Sequence, residues 1–114
     1  MSVSTHVLDT VAGRPAGGVA VSLSYLDPYG GPDGEEWTQL DDGETDPDGR
    51  HLFGAPTEPG IYRLTFETGL YFAAAGVETF YPHVTITFEV ADSAAHYHVP
   101  LLLSPFGYST YRGS

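Results

Sequence analysis

The histidines are where this sequence can do chemistry. His96 and His98 stand two apart near the C-terminus, and His6 lies near the N-terminus. In a strand, side chains two apart share a face, so His96 and His98 project together. An imidazole titrates near neutral pH and can take a proton from water and return it to a leaving group. A pair can divide that work, one acting as base and the other orienting or polarising. The same three imidazoles could instead bind zinc, but no cysteine or nearby carboxylate completes a tetrahedral set, so no metal or other cofactor is expected. A lone strand histidine such as His6 is ordinarily a surface or packing residue, and His51 and His83, without convergent partners, read as solvated. Arginine is the second candidate, since Arg14, Arg50, Arg63 and Arg112 are the only basic side chains. Arg50 follows an Asp-Pro-Asp-Gly turn. Its planar, permanent charge suits carbonyl oxygens or an anion, and it would keep a neighbouring imidazole neutral by like-charge repulsion. Arg14 and Arg63 read as surface arginines paired with acids. No Gly-x-Ser-x-Gly elbow supports a serine nucleophile.

The C-terminal stretch H-Y-H-V-P-L-L-L-S-P-F-G-Y-S-T-Y-R-G-S (96–114) must position the histidine pair. As a strand it puts Tyr97, Val99, Leu101 and Leu103 on one apolar face, with His96, His98, Pro100 and Leu102 on the other. Ser104-Pro-Phe-Gly107 is a turn by composition. A second strand is expected over Tyr108–Arg112, with Tyr111 and Arg112 inside it and of opposite parity, which makes Arg112 an interface candidate. At the other end, residues 3–8 alternate, with Val3, Thr5 and Val7 facing one way and Ser4, His6 and Leu8 the other.

Between these ends, alternation predicts strands over 19–26, 61–67 and 83–91, with shorter ones at 37–40 and 51–53. Turn-rich segments separate them, including acidic loops at 27–36 and 41–49 and a turn over 54–60. Only Leu70–Val77, rich in alanine, reads as helix. The pattern is all-β: a two-sheet antiparallel β-sandwich of about eight strands with one short helix. The outer faces of strands 19–26, 61–67 and 83–91 carry Ser, Thr, Arg and Glu, as suits water. Those of strands 3–8 and 96–112 carry His6, Leu8, His96, His98, Pro100, Leu102 and Tyr111. That second surface is too apolar for open solvent and too rich in histidine for a core. A subunit interface enclosing a site accounts for it.

With 114 residues, one domain over 1–114 is expected. The net charge of −11 argues against nucleic-acid and anionic-membrane partners. There is no cysteine, no apolar run of membrane-spanning length and no signal-peptide pattern, so a soluble cytoplasmic protein is expected.

From about residue 3 to the terminus, in order, the stretches S-T-H-V-L-D, T-D-P-D-G-R, F-Y-P-H-V-T-I-T-F and the whole 96–114 segment resemble the 5-hydroxyisourate hydrolases, the transthyretin-like enzymes of urate breakdown. The final Y-R-G-S separates these enzymes from transthyretin, the hormone carrier, which shares the L-L-S-P and Y-S-T stretch but not this ending or the histidines. The resemblance implies an eight-stranded sandwich with a short helix, assembled as a homotetramer (a dimer of dimers) around a channel that holds the active sites. It implies hydrolysis of the N1–C6 amide of 5-hydroxyisourate, without a cofactor. It carries the family's motif histidines onto His6 and His98, its arginine onto Arg50 and its terminal tetrapeptide onto Tyr111, Arg112, Gly113 and Ser114. Tyr111 and Ser114 would then close the pocket and bind substrate beside Arg50, while Leu8, Pro100, Leu102, Arg112 and Gly113 would support pocket and interface. The alternatives are a transthyretin-like carrier of a small aromatic ligand and a β-sandwich adhesion module.

Overall fold

The computed structural model describes residues 2–54 and 58–114. Among these, nine strands and one helix form two packed sheets: β1 (Ser2–Asp9), β2 (Arg14–Pro15), β3 (Ala20–Leu26), β4 (Trp37–Glu44), β5 (Arg50–Phe53), β6 (Gly60–Phe66), α1 (Thr68–Ala74), β7 (Val84–Val90), β8 (His96–Ser104) and β9 (Gly107–Thr110). One sheet runs β2-β1-β8-β9, with β5 also paired to β1; the other runs β4-β3-β6-β7. The alternating positions read from the sequence supply the core. Val3 and Val7 of β1, Leu23 of β3, Leu64 and Phe66 of β6, and Leu101 of β8 are fully buried between the sheets. Each such side chain contributes about 1.5–3 kcal/mol by leaving water. Thr5 joins them because its hydroxyl donates to the Val99 carbonyl at 2.7 Å, which removes the penalty of burying it.

The all-β two-sheet sandwich is as expected, with four local corrections. First, the sandwich is not wholly antiparallel, because β1 and β8 pair in parallel from Ser2 opposite His96 to Asp9 opposite Leu103. Parallel neighbours need a long crossover, and here the entire second sheet lies between them in the chain. Second, β4 continues to Glu44 instead of stopping at 40, through residues whose composition reads as loop. It is an edge strand, so its acids stay solvated while its backbone pairs with β3 across a register shift at Leu23/Ser24. Third, the helix begins earlier and ends earlier than 70–77. Gly69 donates to the Pro82 carbonyl at 3.0 Å, which fixes the start, and Gly76, at φ 69°, ends it in a left-handed turn. Fourth, β9 stops at Thr110, so Tyr111 and Arg112 lie outside it. Of the turn expected over 54–60, residues 55–57 lie outside the described residues.

Candidate functional site

Arg50 is delivered by its own turn. The Asp46 carboxylate accepts from the backbone N–H of Asp48 (2.9 Å) and of Arg50 (3.0 Å), while Gly49 N–H donates to the Asp46 carbonyl (2.8 Å). Gly49 has φ 77°, and its carbonyl accepts from Val7 N–H at 2.7 Å, so the turn is pinned to β1. A side chain at Gly49 would meet the Val7 carbonyl at 2.4 Å. The Asp-Pro-Asp-Gly sequence is therefore what allows β5 to lie against β1 with Arg50 opposite His6.

The parallel β1–β8 pairing completes the outer face. It sets Ser2 beside His96, Ser4 beside His98 and His6 beside Pro100. With Arg50 and Leu52 paired to His6 and Ser4 on the other side of β1, three strands present one continuous surface. A cavity of about 500 Å³ opens on it, lined by Ser4, Arg50, His51, Leu52, His96, His98 and Ser114 among others. A second cavity, of about 250 Å³, lies toward β7; His98 lines both, with Tyr111 and Arg112 lining the second.

Hydroxyls hold the two neighbouring imidazoles. Ser4 Oγ lies 2.8 Å from His98 Nδ1 and 3.0 Å from His96 Nε2, and Ser2 Oγ bonds His96 Nδ1. The two rings are nearly parallel, at 16°, with centroids 6.4 Å apart. Burial pushes His98 below the ordinary histidine pKa, and the positive charges of His6, His96 and Arg50 push it the same way. A neutral ring at neutral pH is what a general base requires. Among the described residues, no group of three His, Cys, Asp or Glu side chains is arranged to hold a metal ion.

The chain terminus is folded over this histidine. The β8–β9 register pairs Leu101 with Thr110, and the same register sets His98 opposite Gly113, where a single bridge forms. Pro100 explains the gap between them. It has no N–H to give the residue across from it, and its carbonyl is taken by the Thr110 hydroxyl at 2.7 Å. The ladder lapses at Tyr111 and Arg112, and the Arg112 guanidinium settles 4.6 Å from the centre of the Tyr97 ring. Pairing resumes where Gly113 N–H donates to the His98 carbonyl at 2.8 Å. A Cβ on Gly113 would stand 2.4 Å from His98 Cδ2, so only glycine lets the tail lie on that imidazole and carry Ser114 into the larger cavity.

Of the residues singled out from the sequence, Arg50, His98 and Ser114 meet at the larger cavity. His6 sits one pair further along β1, half-buried between Arg50 and Pro100. Leu8 and Leu102 are half-buried partners on the same face, Pro100 is buried, and Tyr111 is exposed. His51 is a correction, because it is half-buried instead of solvated. It packs against Gly43, lies edge-on to Phe53 with centroids 4.6 Å apart, and its Nε2 is buried without a hydrogen-bond partner. Strand parity with Phe53 was the available signal. His83 is exposed, as expected. Arg63 lies 4.2 Å above the Trp37 ring. Ser4, which touches both imidazoles, escaped the sequence reading, since nothing in the chain announces that β1 and β8 are neighbours.

Fold and site together define a transthyretin-like β-sandwich with a histidine-lined cleft on one sheet. Residues 3–113 match the model of the HIUase/Transthyretin family, and the chain belongs to that family. The 5-hydroxyisourate hydrolase of Salmonella dublin is 46% identical over 115 residues, spanning 98% of this chain and 80% of that protein. The structure of Klebsiella pneumoniae 5-hydroxyisourate hydrolase superposes with a TM-score of 0.84 at 41% identity, covering 100% of both chains. Sea bream transthyretin in complex with thyroxine superposes with a TM-score of 0.84 at 34% identity, covering 97% of this chain and 93% of that one.

Proposed function

We propose that this chain, as a single domain over 1–114, hydrolyses 5-hydroxyisourate to 2-oxo-4-hydroxy-4-carboxy-5-ureidoimidazoline in urate degradation. The observation that carries the reading is a neutral-leaning His98 beside Arg50 and Ser114 in one cleft, in a chain related to 5-hydroxyisourate hydrolases over nearly its whole length. In this mechanism His98 takes a proton from water as the water oxygen attacks C6 of the ring amide. Arg50 stabilises the negative charge that develops on the C6 oxygen. The N1–C6 bond then breaks, N1 accepts the proton held by His98, and C6 becomes the carboxylate. His6, on the adjacent pair, shares the proton work or orients the substrate. Ser114 and Tyr111 bind substrate and close the site, and Arg112 and Gly113 hold the tail in place. No cofactor or metal takes part.

We further propose that the protein works as a homotetramer in the cytoplasm. Support for assembly comes from the same outer face, which carries Leu52, 66% exposed opposite Ser4, and further along it the half-buried pair Leu8 and Leu102. Among the described residues no helix is long and apolar enough to cross a membrane. A monomer in solution, or the protein in a secreted fraction, would overturn these two points respectively.

The likeness to sea bream transthyretin in complex with thyroxine favours one other reading, a carrier of a small aromatic ligand. Ultraviolet decay of 5-hydroxyisourate freshly made by urate oxidase separates the two. The hydrolase accelerates the decay, and His98→Ala abolishes the acceleration. Decay at the spontaneous rate with folded protein would leave the carrier.

A further inference from the structure

His98 is held at Nδ1 by a group that belongs neither to the histidines nor to the terminal tetrapeptide. The parallel register places Ser4 directly beside it, and the Ser4 hydroxyl stands between two ring nitrogens, 2.8 Å from His98 Nδ1 and 3.0 Å from His96 Nε2. We propose that Ser4 is a positioning residue for His98, its hydroxyl holding the neutral ring with the proton on Nδ1 and the lone pair on Nε2. This rests on the reading that His98 takes the proton from the attacking water.

Counting donors leaves two arrangements, and the need for a base at His98 selects one. A serine hydroxyl has one hydrogen to donate and oxygen lone pairs to accept, and a neutral imidazole has one N–H and one bare nitrogen. With the proton on His98 Nδ1, that N–H donates to Ser4 Oγ. The Ser4 O–H then donates to His96 Nε2, and His96 Nδ1–H donates to Ser2 Oγ, whose own hydrogen is left for water. Every bond in the row has one donor and one acceptor, and His98 Nε2 keeps its lone pair. Run the other way, the same row puts the proton on His98 Nε2 and leaves no base for water. The nearly parallel His96 and His98 rings, at 16°, suit a single hydroxyl that serves both. His6 on β1, His96 on β8 and Arg50 on β5 are the charged or titratable groups that act on this ring, and all disfavour its protonated form. Burial and their fields, opposed by a backbone contact from Ser4, set how readily His98 charges. Ser4 sets which nitrogen is bare when it is neutral, the role that an orienting partner plays for a catalytic imidazole.

Nitrogen-15 spectra of histidine-labelled protein, recorded above the His98 titration, read the tautomer without reference to turnover. The wild-type protein should show His98 protonated at Nδ1. Ser4→Ala should move the population toward Nε2–H and lower kcat about tenfold or more, with KM held within about twofold. Ser4→Thr, which keeps the hydroxyl, should restore both. A wild-type His98 protonated at Nε2 overturns the proposal, as does a Ser4→Ala spectrum unchanged from wild type. Should Ser4→Ala fail to fold, the wild-type spectrum still decides. A wild-type tautomer as proposed, in a protein that does not accelerate hydrolysis, would sink the hydrolase reading and leave the role of Ser4 on the ring standing.

Discussion

The two sheets share one inner logic and differ in what they show the outside. On the β4-β3-β6-β7 sheet the outer row holds Ser22, Ser24, Arg63, Thr65, Thr85 and Thr87, all polar. Thr65 and Thr85 hydroxyls meet at 3.3 Å, and Arg63 lies over Trp37. On the other sheet the outer row holds Ser4, His6, Arg50, His98, Pro100 and Leu102. There, imidazoles are crowded against a guanidinium, and a proline sits inside a paired strand. The guanidinium opposes protonation of His98, a cost felt only as pH falls, and Pro100 removes a ladder donor, which opens the gap through which the terminus leaves and returns over His98. A face tuned only for folding would look like the first sheet. The second brings a histidine of lowered pKa, a fixed positive charge and the tail to one cleft.

That contrast is broken most severely at His98. His98→Ala should lower kcat/KM for 5-hydroxyisourate by about 10²- to 10⁴-fold with the far-ultraviolet spectrum and assembly unchanged; unaltered turnover would remove His98 from the site. His6→Ala should act in the same direction, by less if it only orients.

Arg50→Gln sharpens the electrostatic half of the contrast. Loss of the charge should lower kcat by about 10²-fold and also change the pH profile. Burial, His6, His96 and Arg50 all depress the His98 pKa, so the acid limb of kcat/KM should fall below the ordinary histidine value near 6.5. Removing the positive charge favours the imidazolium. The limb should therefore move up in pH, though not fully, since burial remains. A limb that stays put, or moves down, would separate Arg50 from His98.

Gly113→Ala tests the tail. The added methyl cannot share space with His98 Cδ2, so Ser114 should be displaced and kcat/KM should drop by about tenfold to a hundredfold, with little change in thermal stability. Loss of folding instead would make the tail structural. Ser24→Ala, on the opposite sheet and away from both cavities, should change neither activity nor stability beyond about 0.5 kcal/mol. Treatment with chelator should likewise leave turnover untouched; a loss of activity restored by zinc would reopen the histidines as ligands.

Local chemistry carried much of this into the sequence. Strict alternation over 3–8, 19–26, 61–67 and 83–91 assigns those strands and their inward faces, because a period of two admits one burial pattern. Asp-Pro-Asp-Gly-Arg encodes its turn, since a carboxylate accepting two backbone N–H groups and a glycine at positive φ are local facts. Boundaries failed where tertiary partners overrode composition. The acids of β4 read as loop until β3 pairs with them, and the Ala-rich run keeps its helix only to Ala74, ahead of the left-handed Gly76. The parallel union of β1 with β8 joins residues more than ninety apart, and no spacing rule records it. From that union come the Ser4 bridge to two imidazoles and the place of His6 between Arg50 and Pro100. Residue types and alternation by themselves determined a β-sandwich with one unusual outer face. Only the tertiary structure decided which side chains on that face meet, because their contacts depend on strand order and register, which are properties of the whole chain.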